Sequence, residues 1–305
     1  MSARTVLPSP TAAAPAAALH SRVLDWYAEA ARDLPWRGHT SPWGVFVSEI
    51  MLQQTPVSRV EPVWREWLSR WPSPTDLAAA APGDAVRAWG RLGYPRRALR
   101  LHAAATAIRD EHDGAVPSTE AGLLTLPGVG VYTAAAVAAF AFGERTTVVD
   151  TNVRRVLARS VQARQHAAPS LTRSEFALAE SLVPADPLTA ATWNVAVMEL
   201  GALVCTARGP RCEACPLVAL CAWQHAGRPA YEGPPRRGQS WHGTDRQARG
   251  ALLAVLRERT TPVPRAELAA VVPDESQRER CLDSLVSDGL VEPLARGRFR
   301  LPGTP

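Results

Sequence analysis

No lysine occurs in the 305 residues, so all 34 basic side chains are arginines. A guanidinium stays protonated at any working pH, and no side chain here can supply an amine for a Schiff base or the lysine of a P-loop. Lysine-dependent covalent catalysis and Walker-type ATPases are excluded. Also missing is any apolar run of the roughly 18 residues that a helical membrane span needs, so a transmembrane protein is excluded too, and no membrane partner is expected. Cysteines are few, five in all, and four of them crowd between Cys205 and Cys221. That crowding reads as a set of ligands and not as a disulfide framework spread through a secreted chain. What remains is ordinary globular composition, 46% hydrophobic, 21% charged and 6% aromatic, with a formal charge of +5 that mildly favours a polyanionic partner.

The length is that of about two domains. Residues 1–18 are rich in Ala, Pro, Thr and Ser, and Pro8, Pro10 and Pro15 interrupt them before any continuous apolar stretch. They read as a disordered tail of a cytoplasmic protein, nucleoid-associated in a bacterium. From Leu19 to Gln224 apolar residues recur at three and four and alanine is abundant, which predicts an all-α body spanning 19–226. Helix stops are legible at Pro72-Ser73-Pro74, Gly114 to Pro117, Pro127-Gly128 and Pro184 to Pro187. Residues 227–244 have the Gly, Pro and Arg content of a flexible basic linker, with Arg228, Arg236 and Arg237. Beyond it, helices at Ala251–Arg257, Arg265–Val271 and Glu275–Val286, then a hairpin of Val291–Leu294 and Arg298–Leu301, predict a small winged-helix-like domain over 245–305.

Three patterns carry chemistry. Cys205, Cys212, Cys215 and Cys221 can converge on one metal centre, either an all-thiolate zinc site or an iron-sulfur cluster, and their loops fit neither paired zinc knuckles nor the bacterial ferredoxin run. Cys281, at helical spacing with Leu285, reads as core. Leu126-Pro127-Gly128-Val129-Gly130 joins two helical patterns. Glycines there let backbone approach a phosphate while amides of the following helix point at it, a helix-hairpin-helix arrangement. Finally, Glu49 and Asp150 stand among apolar neighbours. Desolvation raises a carboxyl's pKa, and cleaving a glycosidic bond asks for two such acids, one to protonate the leaving group and one to face an oxocarbenium-like sugar.

Leu34-Pro35-Trp36-Arg37, Ser48-Glu49-Ile50-Met51-Leu52-Gln53-Gln54-Thr55, Leu92-Gly93-Tyr94, Leu126 to Thr133, Val149-Asp150-Thr151-Asn152-Val153-Arg154-Arg155 and the cysteine loop follow one another in an order that resembles adenine DNA glycosylases of the MutY type. The resemblance covers about residues 20 to 225. It implies a two-lobed helix-hairpin-helix glycosylase fold with DNA across the cleft, and a 4Fe-4S cluster on the four cysteines. It also implies roles: Glu49 protonates adenine at N7, ionised Asp150 stabilises the sugar cation, and Tyr132 and Asn152 position the reacting groups. Trp36 and Arg37 match substrate-pocket positions, Gln53 matches a DNA contact, Gln54 and Tyr94 match residues that wedge into the duplex gap, and Gly128 and Gly130 bind backbone phosphate. The implied partner is double-stranded DNA with adenine mispaired with 8-oxoguanine or guanine, bound by a monomer.

Endonuclease III shares the fold, hairpin and cluster but has a catalytic lysine where this sequence has Tyr132, and no acid where it has Glu49. Tyr132 and the absence of lysine both imply a monofunctional glycosylase. An endonuclease III-like glycosylase and a non-catalytic iron-sulfur regulator are the alternatives. The sequence departs from the family at Val195, often a Gln or Glu, and at Pro95, in place of a second tyrosine. The residues after Thr244 also lack the length and strand content of the family's Nudix-like C-terminal domain. Arg298 and Arg300, alternating along a strand, read as phosphate contacts.

Overall fold

The computed structural model describes residues 16–38, 40–231, 233 and 242–304. Two compact units emerge: Met1–Asp33 with Ala138–Pro234, and Leu34–Val137 with Pro235–Pro305. Among the described residues no helix is long and apolar enough to cross a membrane.

The first unit is helical. Helix α1 (Ala16–Ala30) begins inside the expected tail, whose residues 1–15 lie outside the described ones. The second unit then runs through α2 (Pro42–Leu52), α3 (Val57–Arg70), α4 (Pro74–Ala79), α5 (Pro82–Trp89), α6 (Arg96–Glu111) and α7 (Glu120–Leu124). Helix α8 (Val131–Phe142) carries the chain across the boundary at Ala138. The first unit resumes with α9 (Thr151–Ser160), α10 (Arg173–Ser181), α11 (Pro187–Leu203) and α12 (Ala222–His225). Its core joins Leu19 and Val23 of α1, Val153, Val156 and Leu157 of α9, and Trp193, Val197 and Leu200 of α11. Each such side chain fully buried stabilises the fold by about 1.5–3 kcal/mol.

In the second unit α2 is the central element. Ser41 caps it by accepting the Gly44 N–H, Pro42 occupies its first turn, and every residue from Trp43 to Met51 is buried. A helix that is apolar nearly all round belongs in a core, which makes the burial of Glu49 in its middle an exception needing a reason. Tryptophans pack on one another in the same unit: Trp67 meets Trp71 edge to face at 4.7 Å and Trp89 at 5.8 Å. The Pro72-Ser73-Pro74 stop is also a start, because Ser73 and Asp76 form a reciprocal capping box for α4.

Residues 245–304 form α13 (Asp245–Glu258), β1 (Val263–Pro264), α14 (Arg265–Val271), α15 (Glu275–Ser287), β2 (Glu292–Leu294) and β3 (Arg298–Arg300), with the antiparallel sheet ordered β1-β3-β2. The three helices and the closing hairpin lie where the sequence pattern places them, and β1 is a strand that the pattern does not contain. Helix α13 starts six residues before the sequence pattern does, because Thr244 caps a polar first turn in which apolar periodicity is silent. Strand β1, two residues of Val-Pro, has no periodicity to read at all. Half of the expected linker, residues 232 and 234–241 with Arg236 and Arg237, lies outside the described residues.

Candidate active site

Glu49 is only 5% exposed, and its Oε2 accepts a hydrogen bond from the Tyr132 hydroxyl at 3.1 Å. The two come from different elements. Glu49 sits mid-way along α2, whereas Tyr132 is the second residue of α8, just beyond the hairpin glycines. Gln53, at the end of α2, reinforces the same junction by donating from Nε2 to Thr133 Oγ1 at 3.2 Å. The hairpin turns at Gly128, where φ is +77° and an added Cβ would lie 2.8 Å from the Arg100 side chain. Both facts demand glycine there. At Gly130 a Cβ would meet nothing within 4 Å, so one side of the hairpin backbone is open to an approaching group. Trp36 is buried with its ring edge-on to Trp64 at 5.7 Å, a packing role, and Arg37 closes a turn through its N–H to the Leu34 carbonyl.

Gln54 and Tyr94 are exposed, and both adopt left-handed backbone, with φ of 57° and 46°. Non-glycine residues pay a strain of about 1 kcal/mol or more there, and such strain gathers at ligand-gripping loops. One buried cation holds both in place. The Arg97 guanidinium donates to the carbonyls of Ile50, Met51 and Gln53 at 2.9, 2.9 and 2.7 Å, to Thr55 Oγ1 at 2.8 Å and to the Gly93 carbonyl at 3.1 Å. It thereby caps α2, clamps the Gln54 turn and ties down the loop that displays Tyr94. Desolvation pulls its pKa down to about 10, still well above neutrality. The sequence offered no sign of this role beyond an arginine next to the Leu92-Gly93-Tyr94 motif.

In the other unit Asp150 caps α9: Oδ1 accepts the Val153 N–H at 2.7 Å and Oδ2 accepts from Asn152 Nδ2 at 2.7 Å. Burial raises the Asp150 carboxyl above the ordinary aspartate range, while these hydrogen bonds and Arg155 pull the opposite way. Arg155 bonds Asn152 Oδ1 at 2.6 Å, the Gly201 carbonyl at 2.7 Å and the Cys205 carbonyl at 2.6 Å. Helix α11 comes so close that a Cβ on Gly201 would lie 2.6 Å from the Asn152 Cβ. Asn194, also on α11, donates to the Thr146 carbonyl at 2.9 Å and steadies the segment leading to Asp150. Val195 next to it is partly buried. Gly201 and Asn194 were not singled out from the sequence, though a lone glycine inside a helical pattern is a recognisable mark of close packing.

Cys205, Cys212, Cys215 and Cys221 line one cavity together with Arg159 and Trp223. Burial, followed by the charges of the other three, pushes the Cys215 thiol up to about 12, and burial raises Cys221 as well. A site that so penalises free thiolates suits a cationic centre that would bind them, and Arg159 Nη1 already stands 3.4 Å from the Cys205 sulfur. Among the described residues no three His, Cys, Asp or Glu side chains are placed to share a single ion. A cubane cluster asks instead for one thiolate at each of its four irons, and four cysteines around one cavity fit that donor set. Cys281 is buried in the C-terminal segment, in the core as read.

Comparison with known proteins decides the family. A family model described as HhH-GPD superfamily base excision DNA repair protein matches residues 47–181. The adenine DNA glycosylase of Mycobacterium tuberculosis H37Rv is 54% identical over 301 residues, 98% of this chain and 98% of that protein. The chain belongs to the adenine DNA glycosylase family. Another member of that family, from Mycolicibacterium smegmatis, is 56% identical over 92% of this chain and 95% of its own length. Among solved structures, a thermostable thymine-DNA glycosylase matches with a TM-score of 0.62 and 28% identity, covering 69% of this chain and 97% of that one. Endonuclease III in a non-covalent complex with DNA matches with a TM-score of 0.59 at 21% identity over 71% of this chain and 100% of its own, a likeness of fold alone. The all-α helix-hairpin-helix fold expected of the glycosylase body is therefore found. The mycobacterial alignment, 301 residues long, reaches into the C-terminal segment, so this glycosylase shares that segment with them.

Proposed function

We propose that this glycosylase is monofunctional and removes adenine mispaired with 8-oxoguanine or guanine from double-stranded DNA, acting as a monomer. The observation that carries the reading is the buried Glu49 carboxyl held by the Tyr132 hydroxyl at 3.1 Å, at the position where a lysine would make a lyase. A base inside the stack is out of reach, so adenine must be flipped out first. Glu49 then delivers a proton to N7, which lets the base depart neutral as its bond to C1′ breaks. Asp150, as a carboxylate, balances the positive charge that develops on the sugar, and Asn152 orients it. Water adds to C1′ and loses a proton to solvent, leaving an abasic site. With tyrosine at that position and no lysine in the sequence, no side chain forms a Schiff base and the strand stays intact.

Gln54 and Tyr94 are the residues offered to the duplex gap, and the open side of Gly130 admits a phosphate. Cys205, Cys212, Cys215 and Cys221 would hold a 4Fe-4S cluster, which when bound would cross-link and organise their loop through four iron–thiolate bonds. Incubation with an adenine:8-oxoguanine duplex tests the reading. The strand should break only after alkali. Breakage without alkali would make the protein an endonuclease III-like lyase, and no product under either condition would leave a non-catalytic DNA-binding regulator.

A further inference from the structure

Four nitrogen-bearing side chains line the cavity with the four cysteines: Arg159, Arg211, Trp223 and Gln224. Three of them are already engaged by the protein. Arg159, 2% exposed, donates to the Gln165 carbonyl at 2.9 Å, to the Thr206 carbonyl at 2.7 Å and to the Cys205 sulfur at 3.4 Å. Arg211 donates to the Leu203 carbonyl, and the Trp223 indole N–H to the Pro229 carbonyl at 2.9 Å. Gln224, on α12, is different. Its side-chain nitrogen is buried and has no hydrogen-bond partner among the described residues. A buried amide donor without an acceptor is unfavourable, and such an orphan marks a place where an acceptor belongs.

Backbone donors converge on the same sulfurs. The N–H groups of Trp223 and Gln224 face the Cys221 sulfur and that of Leu217 faces the Cys215 sulfur, each favouring the thiolate. Thiolates and the sulfides of a cubane are electron-rich acceptors, so a cavity edged with N–H groups suits that occupant, which supplies what the Gln224 amide lacks. We propose that Gln224 donates its side-chain N–H to a sulfur of the bound cluster and, with Arg159, sets the cluster's reduction potential. The proposal rests on the reading of the four cysteines as ligands of a 4Fe-4S cluster. A hydrogen bond drains charge from sulfur and stabilises the more electron-rich state of the couple, so each donor raises the potential. Removing one makes the cluster easier to oxidise.

The test is made on the full chain purified without oxygen, with iron analysis before each measurement. Gln224→Met keeps the stem and loses the donor. A hydrogen bond of this kind shifts the equilibrium between oxidised and reduced cluster about three- to tenfold. The midpoint potential should therefore fall by about 30–60 mV, a one-electron couple moving about 59 mV per tenfold. In air the variant's visible absorbance should bleach faster than the parent's. Val218→Ala trims the same cavity wall without touching a donor and should not lower the potential. A second measurement needs no variant. With the side-chain nitrogen of glutamine isotopically labelled, electron–nuclear double resonance on the paramagnetic cluster of the parent should show a nitrogen coupling, since Gln224 alone among the described glutamines lines the cavity. An unchanged potential in iron-loaded Gln224→Met, an equal fall in Val218→Ala, or no glutamine coupling in the parent overturns the proposal. If the methionine variant loses its iron on purification, the coupling in the parent decides alone. A parent that carries zinc, or no iron, fails the reading of the cysteines themselves, and the proposal falls with it.

Discussion

Replacing Arg97 by methionine tests how the two strained loops are held. Methionine keeps an unbranched stem against Trp89, whose ring the guanidinium faces at 5.1 Å, but removes every donor. The carbonyls of Ile50, Met51, Gln53 and Gly93 and the Thr55 hydroxyl lose a partner they reach at 2.7 to 3.1 Å. An unsatisfied buried acceptor costs about 1–3 kcal/mol, and those near the helix end recover part of this by admitting water. Against that, the variant no longer buries a cation whose pKa burial has already lowered to about 10. The balance is a destabilisation of about 3 kcal/mol, in the range found when one partner of a buried charged network is removed. Urea denaturation reads the stability. Single-turnover excision at saturating enzyme, scaled to the folded fraction, reads the loops. We expect excision per folded molecule to fall at least about tenfold, because Gln54 and Tyr94 lose the clamp that displays them. Arg97→Lys should restore stability only partly, since an ammonium has three donors on a point charge and no planar fork. A loss of less than about 1 kcal/mol, or full excision per folded molecule, would refute the clamp.

Asp150→Asn should abolish excision while leaving the fold as stable or more so, because asparagine caps a helix as well as aspartate. A carboxyl raised by folding stabilises the native state most when protonated and loses that contribution as pH climbs through the raised value. The variant's melting temperature should therefore gain on the parent's from about pH 4 upward, and a variant that melts lower at pH 7 would contradict the buried cap. Gly201→Ala forces a methyl against Asn152 and should cost about 1–3 kcal/mol while lowering excision through Asn152. An alanine variant with parental stability and rate would show that α11 can move aside freely. Purified without oxygen, the protein should carry about four irons per chain and little zinc, and the reverse in metal analysis would put a different centre on the cysteines.

Much of this was readable in the residues, for reasons that differ from place to place. The hairpin announced itself because positive φ and close approach leave glycine as the economical choice at Gly128, and the cysteines because four ligands must lie within reach of one centre. Glu49 stood out as an acid in an apolar run. What sequence could not show is which of many arginines turn inward. Arg97, Arg155 and Arg159 are as ordinary in composition as Arg65, which is exposed and paired with Glu61, yet they hold α2, Asn152 and the cysteine loop. Those roles depend on carbonyls brought near by folding.

The central claim is that Glu49 acts as the general acid with Tyr132 holding it. Single-turnover excision by Glu49→Gln on an adenine:8-oxoguanine duplex, measured beside its affinity for the same duplex, tests this most directly. The amide keeps the shape and can still accept from the Tyr132 hydroxyl, but it has no acidic proton to deliver. The rate should fall about 100-fold or more while affinity stays near the parent's. Excision at a rate close to the parent's would contradict the account.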